Sequence, residues 1–255
     1  MGMDRELRIR HILRSVEGRG YVAVRELRHA LSVSEMTVRR DLEFLENSGY
    51  LIRKHGGAVR SEATNNLFRF DRRVKENRHL KEAVCAAAAR FVRDNETIFI
   101  DCGTTAFRLC RHIVGRKNLR VVTNSLPVVA ELMNHPNIKV SLVGGDVDAE
   151  RRAAYGAAAE HAVARYRADK AFLGAGGVSV ERGLSSFDQK EGEITAAFAR
   201  NARSVFLLCD STKLERDTFY LFAPLSIVQT IVTDPGIASA VKRRYVTAGI
   251  TIIVK

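Results

Sequence analysis

The sequence predicts an α/β protein of two domains, a small helix-rich N-terminal module over residues 1–60 and a larger α/β domain over residues 81–255. Its 255 residues exceed the usual size of one domain and suit a small module joined to a larger one. With 46% hydrophobic and 27% charged residues, the composition is that of a globular protein with a buried core. Apolar runs alternate with helical segments in the larger part, which predicts a mainly parallel sheet covered by helices on both faces.

The N-terminal module begins with two predicted helices. Four apolar residues at i, i+3, i+4 and i+7 spacing predict a first helix over residues 4–17, which Gly18 and Gly20 are expected to end. Residues 21–24 predict a very short strand. Residues 25–31 predict a second helix with its leucines turned inward.

A third helix is predicted from the N-cap Ser34 to about Asn47. Val38, Leu42 and Leu45 form its narrow apolar stripe, so the opposite side is expected to face outward. Two helices joined by a short turn, the second exposing threonine and arginine, fit the major groove of DNA, where arginine binds guanine through two hydrogen bonds. An isolated arginine pair also fits a solvated helix face. The predicted DNA-contacting residues of this helix are Ser34, Glu35, Met36, Thr37, Arg39 and Arg40.

The segment after the third helix predicts a hairpin, and this addition makes the arrangement a winged helix-turn-helix. Gly49 is expected to end the helix, and residues 50–60 read as two short strands around a glycine turn. Arg53, Lys54 and His55 are expected at the hairpin tip, against DNA phosphates. Such contacts add affinity and salt dependence but little sequence discrimination.

These residues together resemble a known family. The similarity is to the DNA-binding module of the DeoR family of bacterial regulators of sugar metabolism. It is carried by the motif VSEMTVRRDLEFL at residues 33–45, by Gly49, Leu51, Arg53 and HGGA at residues 55–58, and then by Phe70, Arg73, Asn77 and Lys81. The resemblance implies a winged helix-turn-helix joined to a domain that senses a phosphorylated sugar or a related metabolite.

The larger domain follows a predicted linker. Residues 61–80 are polar and basic without alternation, and a helix is predicted over residues 80–93. In a parallel sheet covered on both faces, ligands bind in the crevice beyond the carboxyl ends of the strands. The predicted strands are residues 97–101, 119–123, 138–143, 169–174, 204–209, 227–232 and 251–254.

Polar and glycine-rich loops follow these strands, and one ligand site could use several of them. The turn at residues 103–105 offers hydroxyls and backbone N–H groups to a phosphate, and Lys213 offers a counter-charge. Asp101, Asp169 and Asp210 can accept hydrogen bonds from sugar hydroxyls. Such residues also serve turns and helix caps, and Lys213 also fits a solvated loop. The predicted ligand-binding residues are Asp101, Gly103, Thr104, Thr105, Asn124, Ser125, Gly144, Gly145, Asp169, Glu191 and Lys213.

The same loops resemble the sensor domain of the DeoR family through DCGTT at 101–105, TNS at 123–125, GG at 144–145, YG at 155–156 and DSTK at 210–213. This resemblance implies a fold similar to sugar-phosphate isomerases and CoA-transferases, with the phosphate on the 103–105 turn near Lys213. It also implies that Asp169, Glu191 and Lys213 are remnants of the isomerase acid–base set. Thr195 stands where the family usually has a lysine. The change could alter which sugar is accepted, with Lys190 as a candidate substitute.

Charge and cysteine content limit the function classes further. The net charge is +12, and residues 1–80 carry half of this excess, which favours a polyanionic or phosphorylated partner over a merely basic soluble protein. Cys85, Cys102, Cys110 and Cys209 lack the spacing of a zinc site or a disulfide framework and predict buried thiols. No cofactor or metal is expected. The charged N-terminus and the lack of a long apolar run predict a cytoplasmic protein without a membrane anchor.

Three functions are compatible with these patterns. The first is a transcriptional repressor that is not an enzyme. It binds double-stranded operator DNA as a dimer or tetramer and responds to a phosphorylated sugar. The second is a sugar-phosphate isomerase with an appended DNA-binding domain. Proton abstraction beside a carbonyl needs a carboxylate and an oxyanion stabiliser, which Asp169, Glu191 and Lys213 could supply. The third is a protein that coats nucleic acid, but the sequence lacks the rows of aromatic residues expected of such a protein. The sequence favours the repressor.

Overall fold

The computed structural model describes residues 5–47, 50–60 and 70–255. The chain forms two compact units, Met1–Arg73 and Val74–Lys255, and each has its own buried apolar core. The division lies inside the predicted linker 61–80. The described residues of that linker include two helical segments, so the chain beside the division is ordered into helix rather than extended.

The smaller unit combines helices with a small antiparallel sheet in the strand order β1-β3-β2. Strands β2 and β3 form a hairpin, and β1 pairs with β3. Its elements are α1 Arg5–Arg19, β1 Tyr21–Ala23, α2 Val24–Leu31, α3 Glu35–Asn47, β2 Leu51–Lys54, β3 Gly57–Arg60 and α4 Phe70–Arg73. The predicted winged helix-turn-helix is therefore present.

The end of α1 differs from the prediction. The helix continues through Gly18 to Arg19, because a single glycine costs a helix only about 1 kcal/mol relative to alanine. Gly18 was therefore the wrong stop signal. Gly20 does follow the end of the helix, with a φ of +74° that favours glycine. The predicted stop at Gly49 lies outside the described residues.

A buried ion pair links α1 to α3 in the core of the smaller unit. Asp41 is 3% exposed, and its Oδ2 accepts a hydrogen bond of 2.7 Å from Arg8 Nε. Arg8 Nη2 donates to the other carboxylate oxygen at 3.3 Å. Val38, Leu42 and Leu45 on the same helix are at most 1% exposed. The apolar stripe predicted for α3 therefore faces the core, and Asp41 lies at its edge as an acid held by arginine.

The larger unit alternates strands with helices. Its helices are α5 Arg78–Ala88, α6 Thr104–Arg108, α7 Cys110–Ile113, α8 Leu126–Leu132, α9 Ala157–Ala164, α10 Gln189–Arg200 and α11 Ser239–Thr247, with 3-10 turns at Ala89–Phe91, Ser211–Lys213 and Leu225–Ile227. Its strands are β4 Thr97–Ile100, β5 Leu119–Thr123, β6 Ile138–Leu142, β7 Asp146–Asp148, β8 Ala153–Tyr155, β9 Ala168–Leu173, β10 Gly177–Ser179, β11 Gly183–Ser186, β12 Ala202–Leu208, β13 Tyr220–Ala223, β14 Thr230–Thr233 and β15 Thr251–Val254.

Seven of these strands form one parallel sheet in the order β15-β14-β12-β9-β4-β5-β6. The sequence predicts all seven, with one error of position. The strand predicted at 227–232 begins only at Thr230, because Ile227 ends a 3-10 turn. The short antiparallel strands of the other sheets, β10-β11-β13 and β7-β8, are not predicted by the sequence. Each of them contains Asp, Gly, Ala or Ser, and none has the cluster of β-branched residues that marks the equally short strands β14 and β15.

The central strand β4 shows why the sheet is buried on both faces. Ile98 and Ile100 point to one apolar cluster, and Phe99 between them points to the other. Phe99 packs on Phe198 of α10 with ring centroids 5.0 Å apart. Ile98, Phe99 and Ile100 are all 0% exposed. The prediction of a sheet covered on both faces is confirmed.

All four cysteines are buried free thiols, as the sequence predicts. None of the helices in the described ranges is long and apolar enough to cross a membrane.

Candidate functional site

The start of α3 determines which of its residues form the predicted DNA-contacting surface of the smaller unit. Ser34 Oγ accepts a hydrogen bond of 3.1 Å from the backbone N–H of Thr37, as an N-cap does. This cap fixes where the helix begins, and the buried stripe fixes its rotation. Met36, Arg39 and Arg40 are consequently exposed, with Met36 61% exposed.

The two arginines of this surface differ in their surroundings. Arg39 donates to Glu35 Oε1 from Nε at 3.0 Å and from Nη2 at 2.7 Å. These bonds and the positive charge of Arg39 lower the pKa of Glu35. Arg40 forms no hydrogen bond or ion pair with any residue of the described ranges. Arg40 is therefore the arginine that can reach a base without first breaking a contact, whereas Arg39 must leave Glu35.

The hairpin turns over His55 and Gly56. Gly56 has a φ of +76°, and a Cβ on Gly57 would lie 2.3 Å from the carbonyl oxygen of Val22, so neither position suits a larger residue. Lys54 and His55 are exposed at the turn. The two glycines thus hold a basic tip on a tight hairpin.

Arg53, the third predicted residue of the tip, is held by α3. Glu46 of α3 accepts a hydrogen bond of 2.9 Å from the backbone N–H of Arg53 and one of 2.5 Å from its Nε. The bonds from Arg53 hold the pKa of Glu46 below its usual range. The hairpin and α3 border a groove of about 610 Å³ that Arg39, Glu46, Arg53, Lys54 and His55 help to line. Its walls are the predicted helix and wing.

In the larger unit, the loops after β4, β5, β9 and β12 meet at one edge because these strands are parallel. Asp101 joins two of these loops. Its carboxylate accepts hydrogen bonds from the N–H groups of Cys102 at 2.7 Å and of Gly174 at 3.0 Å. Burial, and next the negative charge of Glu191, raise the pKa of Asp101 to about 6 although both hydrogen bonds favour the ionised form.

This pKa predicts a pH-dependent stability. A carboxyl whose pKa is raised by folding stabilises the folded chain below its ordinary pKa, and this stabilisation is lost as the pH rises through about 6. Between pH 7 and pH 4 the wild-type chain should therefore gain up to about 3 kcal/mol relative to Asp101→Asn, which cannot titrate. Urea unfolding of both chains at several pH values measures the difference. Asp94→Asn, at an exposed carboxylate, is the control, and an unchanged difference for Asp101→Asn would contradict the expectation.

The predicted phosphate turn packs against α5. Thr104 is 4% exposed, and its Oγ1 accepts a hydrogen bond of 3.1 Å from Lys81 Nζ. One helical turn further along α5, Cys85 Sγ donates to the carbonyl oxygen of Thr105 at 2.9 Å. Burial raises the pKa of the Cys85 thiol to about 12, so this sulfur remains protonated. Lys81 was not predicted as a site residue. The signal available in the sequence was a lysine within an otherwise apolar helical face.

Asn124 and Ser125 follow β5, beside β4. Ser125 Oγ accepts from the N–H of Val128 at 3.4 Å and so caps α8, which is a structural role. Asn124 Nδ2 donates to the carbonyl oxygen of Ala154 at 3.0 Å. The Oδ1 of Asn124 is buried and accepts no hydrogen bond within the described part of the chain. A buried acceptor of this kind is suited to a ligand hydroxyl.

Glu191 lies at the start of α10 in a network of charged and polar groups. Its Oε2 accepts from Ser186 Oγ at 3.1 Å and lies 3.9 Å from Arg151 Nε. Arg151 also pairs with Asp148 at 2.9 Å. Burial lowers the pKa of Arg151, but the carboxylates of Glu191 and Asp188 outweigh it and raise this pKa. Arg151 was not predicted, and it gives the Glu191 side of the site a cation.

Asp169 is not in the crevice, which corrects its assignment as a ligand residue. It is the second residue of β9, so it lies at the amino edge of the sheet, opposite the loops described above. Its Oδ2 accepts from the N–H of Thr97 at 2.9 Å, and its Oδ1 lies 3.8 Å from Arg203 Nη1. The sequence interpretation failed because it assigned Asp169 by its carboxylate and by the resemblance to isomerases, and not by its position at the start of the strand.

Of the remaining predicted residues, some have a structural role and others are exposed. Gly145 is required by packing, since a Cβ there would lie 2.4 Å from the carbonyl oxygen of Tyr155. Gly144 is exposed before it. Thr195 Oγ1 donates to the carbonyl oxygen of Glu191 inside α10, while Lys190 is exposed. Thr195 is 2% exposed, so a lysine at this position would have to be accommodated in a buried environment.

Lys213 lies in the loop after β12, at the same edge of the sheet as Asp101. Asp210 caps the 3-10 turn that carries it, accepting from the N–H of Thr212 at 3.2 Å. Asp234 Oδ2 accepts a hydrogen bond of 2.6 Å from the N–H of Ser211 and so stabilises this turn. Although burial acts against it, the hydrogen bonds from Ser211 and Gly236 hold the pKa of Asp234 below its usual range. The backbone that presents Lys213 is therefore fixed by two carboxylates.

A winged helix with an exposed arginine and a parallel α/β unit with a polar crevice define a two-domain DNA-binding transcriptional regulator. The chain belongs to the DeoR family. Residues 8–64 match the model of the DeoR-like helix-turn-helix domain, and residues 76–235 match that of the DeoR C terminal sensor domain. The predicted family and fold class are confirmed.

Several curated relatives are similar over most of their length. The HTH-type transcriptional repressor CsqR of Escherichia coli is 32% identical over 95% of this chain and 92% of its own. The glycerol-3-phosphate regulon repressor of E. coli is 31% identical over 88% of each chain. The lactose phosphotransferase system repressor of Lactococcus lactis is 35% identical over 92% and 93%. Among solved structures, ribose 5-phosphate isomerase A of Methanocaldococcus jannaschii has a TM-score of 0.41 at 20% identity, over 55% of each chain.

Proposed function

We propose that the protein represses a carbohydrate-utilisation operon by binding its operator through α3 and the hairpin, and that a phosphorylated sugar in the crevice of the larger unit changes this affinity. The observation that carries the proposal is the presence, in one DeoR-family chain, of an exposed reading helix and of a separate crevice lined by buried polar groups. The relatives named for glycerol 3-phosphate and for the lactose phosphotransferase system support the ligand class.

The chemistry of the crevice supports a ligand with both a phosphate and hydroxyls. Lys81, Thr104 and Lys213 supply cationic and hydroxyl donors, which suit phosphate oxygens. The carboxylate of Glu191 and the amide oxygen of Asn124 supply acceptors, which suit sugar hydroxyls. A phosphorylated sugar matches both sets, and no metal or organic cofactor is part of the proposal.

The position of Asp169 favours a regulator over an isomerase. The acid–base set implied by resemblance consisted of Asp169, Glu191 and Lys213, and the structure places Asp169 at the opposite edge of the sheet from the other two. Proton transfer needs its groups within hydrogen-bond reach of one substrate. We therefore propose that the ligand is bound and released unchanged.

Polar contacts of α6 connect the crevice with the start of the larger unit. Thr104 and Arg108 are both on α6, and Arg108 Nη1 pairs with Glu82 of α5 at 3.1 Å. Nη2 of Arg108 also donates to the carbonyl oxygen of Val74, the first residue of the larger unit. We propose that a ligand at Thr104 acts on the DNA-binding unit by shifting α5 and α6. A tenfold change in operator affinity needs only about 1.4 kcal/mol of coupling.

The proposal is tested by fluorescence anisotropy on labelled DNA from upstream of the protein's own gene. Binding is measured at fixed salt, with and without each of a panel of phosphorylated sugars, and each mixture is checked for product. We expect one compound to shift the DNA affinity and to be recovered unchanged. Conversion of a compound without any effect on DNA binding would replace the repressor with the isomerase.

We also propose a homo-oligomer, a dimer or a tetramer, because helix-turn-helix proteins usually bind repeated half-sites. Light scattering of the free chain and of its complex with operator DNA measures the number of subunits. A monomer in both would contradict this part of the proposal.

Replacing Lys213 by alanine should abolish the effector response and leave operator binding unchanged, because Lys213 belongs to the larger unit. The same anisotropy titration, with the active compound, measures both properties in one series. Lys139→Ala, at an exposed lysine of β6, is the matched control. An undiminished response of the Lys213 variant would remove Lys213 from the site.

A further inference from the structure

Exposed bases gather at the amino edge of the parallel sheet in the larger unit, where its strands begin. One of them is the second residue of β5, and the others lie two or three residues before the first residue of β5, β9 or β12. Because the strands are parallel, all these positions lie at the edge opposite the crevice. The group, called the basic edge below, consists of the exposed residues Lys117, Arg120, Arg165 and Arg200.

The basic edge has no counter-charge in the part of the chain that the structure describes. None of its four side chains forms a hydrogen bond or an ion pair with another residue of the described ranges. The acids beside these strand starts are bound elsewhere, Glu96 to Lys170, Asp169 to Arg203 and Asp94 to the backbone N–H of Lys117. Lys139 of β6 is not included, because a lysine on an outermost strand is explained by protection against pairing with another strand.

The basic edge also has a common face and a definite width. Arg120 is two residues from Val122 on β5, so both point to the face whose core cluster includes residues of α9 and α10. Arg165 and Arg200 lie at the ends of these two helices. From β12 to β5 there are three strand spacings, or about 14 Å. Since the major groove of DNA is about 12 Å wide, charges at this separation can reach the phosphates on both of its sides.

The position and the sign of the basic edge indicate a polyanion as its partner. The crevice for the effector lies at the other end of the strands, about 16 Å away along the five residues of β5. Two copies of the chain related by a two-fold axis at this edge would place bases against bases. Half of the net charge of +12 lies outside residues 1–80, so the DNA-binding module does not account for it.

We propose that the basic edge binds DNA phosphates, as a second DNA contact that the larger unit makes without reading the sequence. The proposal rests on the proposed function, since it assumes that the chain binds DNA through α3 and the hairpin. Bases that neutralise phosphates release condensed cations, so their contribution to affinity falls as the salt concentration rises. Phosphates carry no sequence information, so this contribution should be the same for operator and random DNA.

The test measures the salt dependence of DNA binding by the full chain. Fluorescence anisotropy gives the affinity for operator and random duplexes of equal length, between about 50 and 200 mM salt. The first variant is Lys117→Gln/Arg120→Gln. The second, Arg165→Gln/Arg200→Gln, probes the other end of the basic edge independently. Circular dichroism establishes that each variant is folded, and light scattering without DNA measures its number of subunits.

The matched control is Lys242→Gln/Arg243→Gln, which removes the same charge at two exposed positions of α11. For each subunit on the DNA, the loss of two phosphate contacts should reduce the slope of log affinity against log salt by about 1.8. Between the two salt concentrations, the wild-type affinity should therefore fall by about 12-fold more than that of either basic-edge variant. The effect should be equal for operator and random DNA, and the control should behave like the wild-type chain.

A wild-type salt slope in both basic-edge variants, or an equal reduction in the control, overturns the inference and leaves the proposed function standing. A purely structural role of the arginines at the helix ends gives this first result, because it changes the free energy of unfolding and not the salt slope. A changed number of subunits in the basic-edge variants assigns the edge to a contact between copies and also overturns the inference. Failure of the wild-type chain to bind either DNA overturns both the inference and the proposed function.

Discussion

Replacing Arg40 by alanine is expected to reduce the discrimination between operator and random DNA. Arg40 is exposed on the outer side of α3, and it forms no ion pair with the residues in the described ranges, so its guanidinium can reach a base edge directly. Loss of one bidentate contact to guanine costs about 1 to 3 kcal/mol, or roughly 5- to 150-fold in affinity for the operator. Anisotropy titrations with operator and random DNA at the same salt measure the ratio.

The control for this variant is Arg90→Ala. Arg90 is exposed in the larger unit, and its loss changes the net charge of the protein by the same amount. If Arg40 acts only through its charge, both variants lose affinity for operator and random DNA alike, and the role in base reading is wrong. Arg39→Ala should have a smaller effect, because the wild-type Arg39 must first leave Glu35 to contact DNA.

Replacing Asp41 by alanine is expected to unfold the smaller unit locally while the larger unit stays intact. The substitution leaves the Arg8 guanidinium, whose side chain is 13% exposed, without its buried carboxylate. Removing one partner of a buried ion pair costs about 3 kcal/mol or more. A fall of about 3 kcal/mol in the free energy of opening should accelerate hydrogen exchange in α1 and α3 by about 100-fold. Exchange in β4, β9 and β12 should not change.

Glu43→Ala is the matched control, because Glu43 is an exposed acid on the same helix. Its effect should stay within about 0.5 kcal/mol. Operator binding should be lost in Asp41→Ala and kept in Glu43→Ala, while calorimetry should show effector binding in both. Equal exchange rates in the two variants would show that the Arg8–Asp41 pair does not hold the unit together.

Much of the fold follows from patterns that one segment carries by itself. The stripe of Val38, Leu42 and Leu45 and the cap at Ser34 specify both the extent of α3 and its outward face. The strands at residues 119–123 and 251–254 have the predicted bounds, because clusters of Val, Ile and Thr are typical of strands. The short antiparallel strands lack such clusters, and their pairing depends on neighbours distant in the sequence.

The sequence by itself determined the family, the winged helix-turn-helix, the parallel sheet and the loops that line the crevice, because each of these is written in local periodicity and in motifs. Only the tertiary structure decided which residues meet. It moved Asp169 to the far edge of the sheet, paired Arg53 with Glu46, and brought Lys81 to Thr104 across 23 positions of the chain. The physical reason is that each of these contacts joins residues of different helices or strands, so it exists only once those elements have packed together.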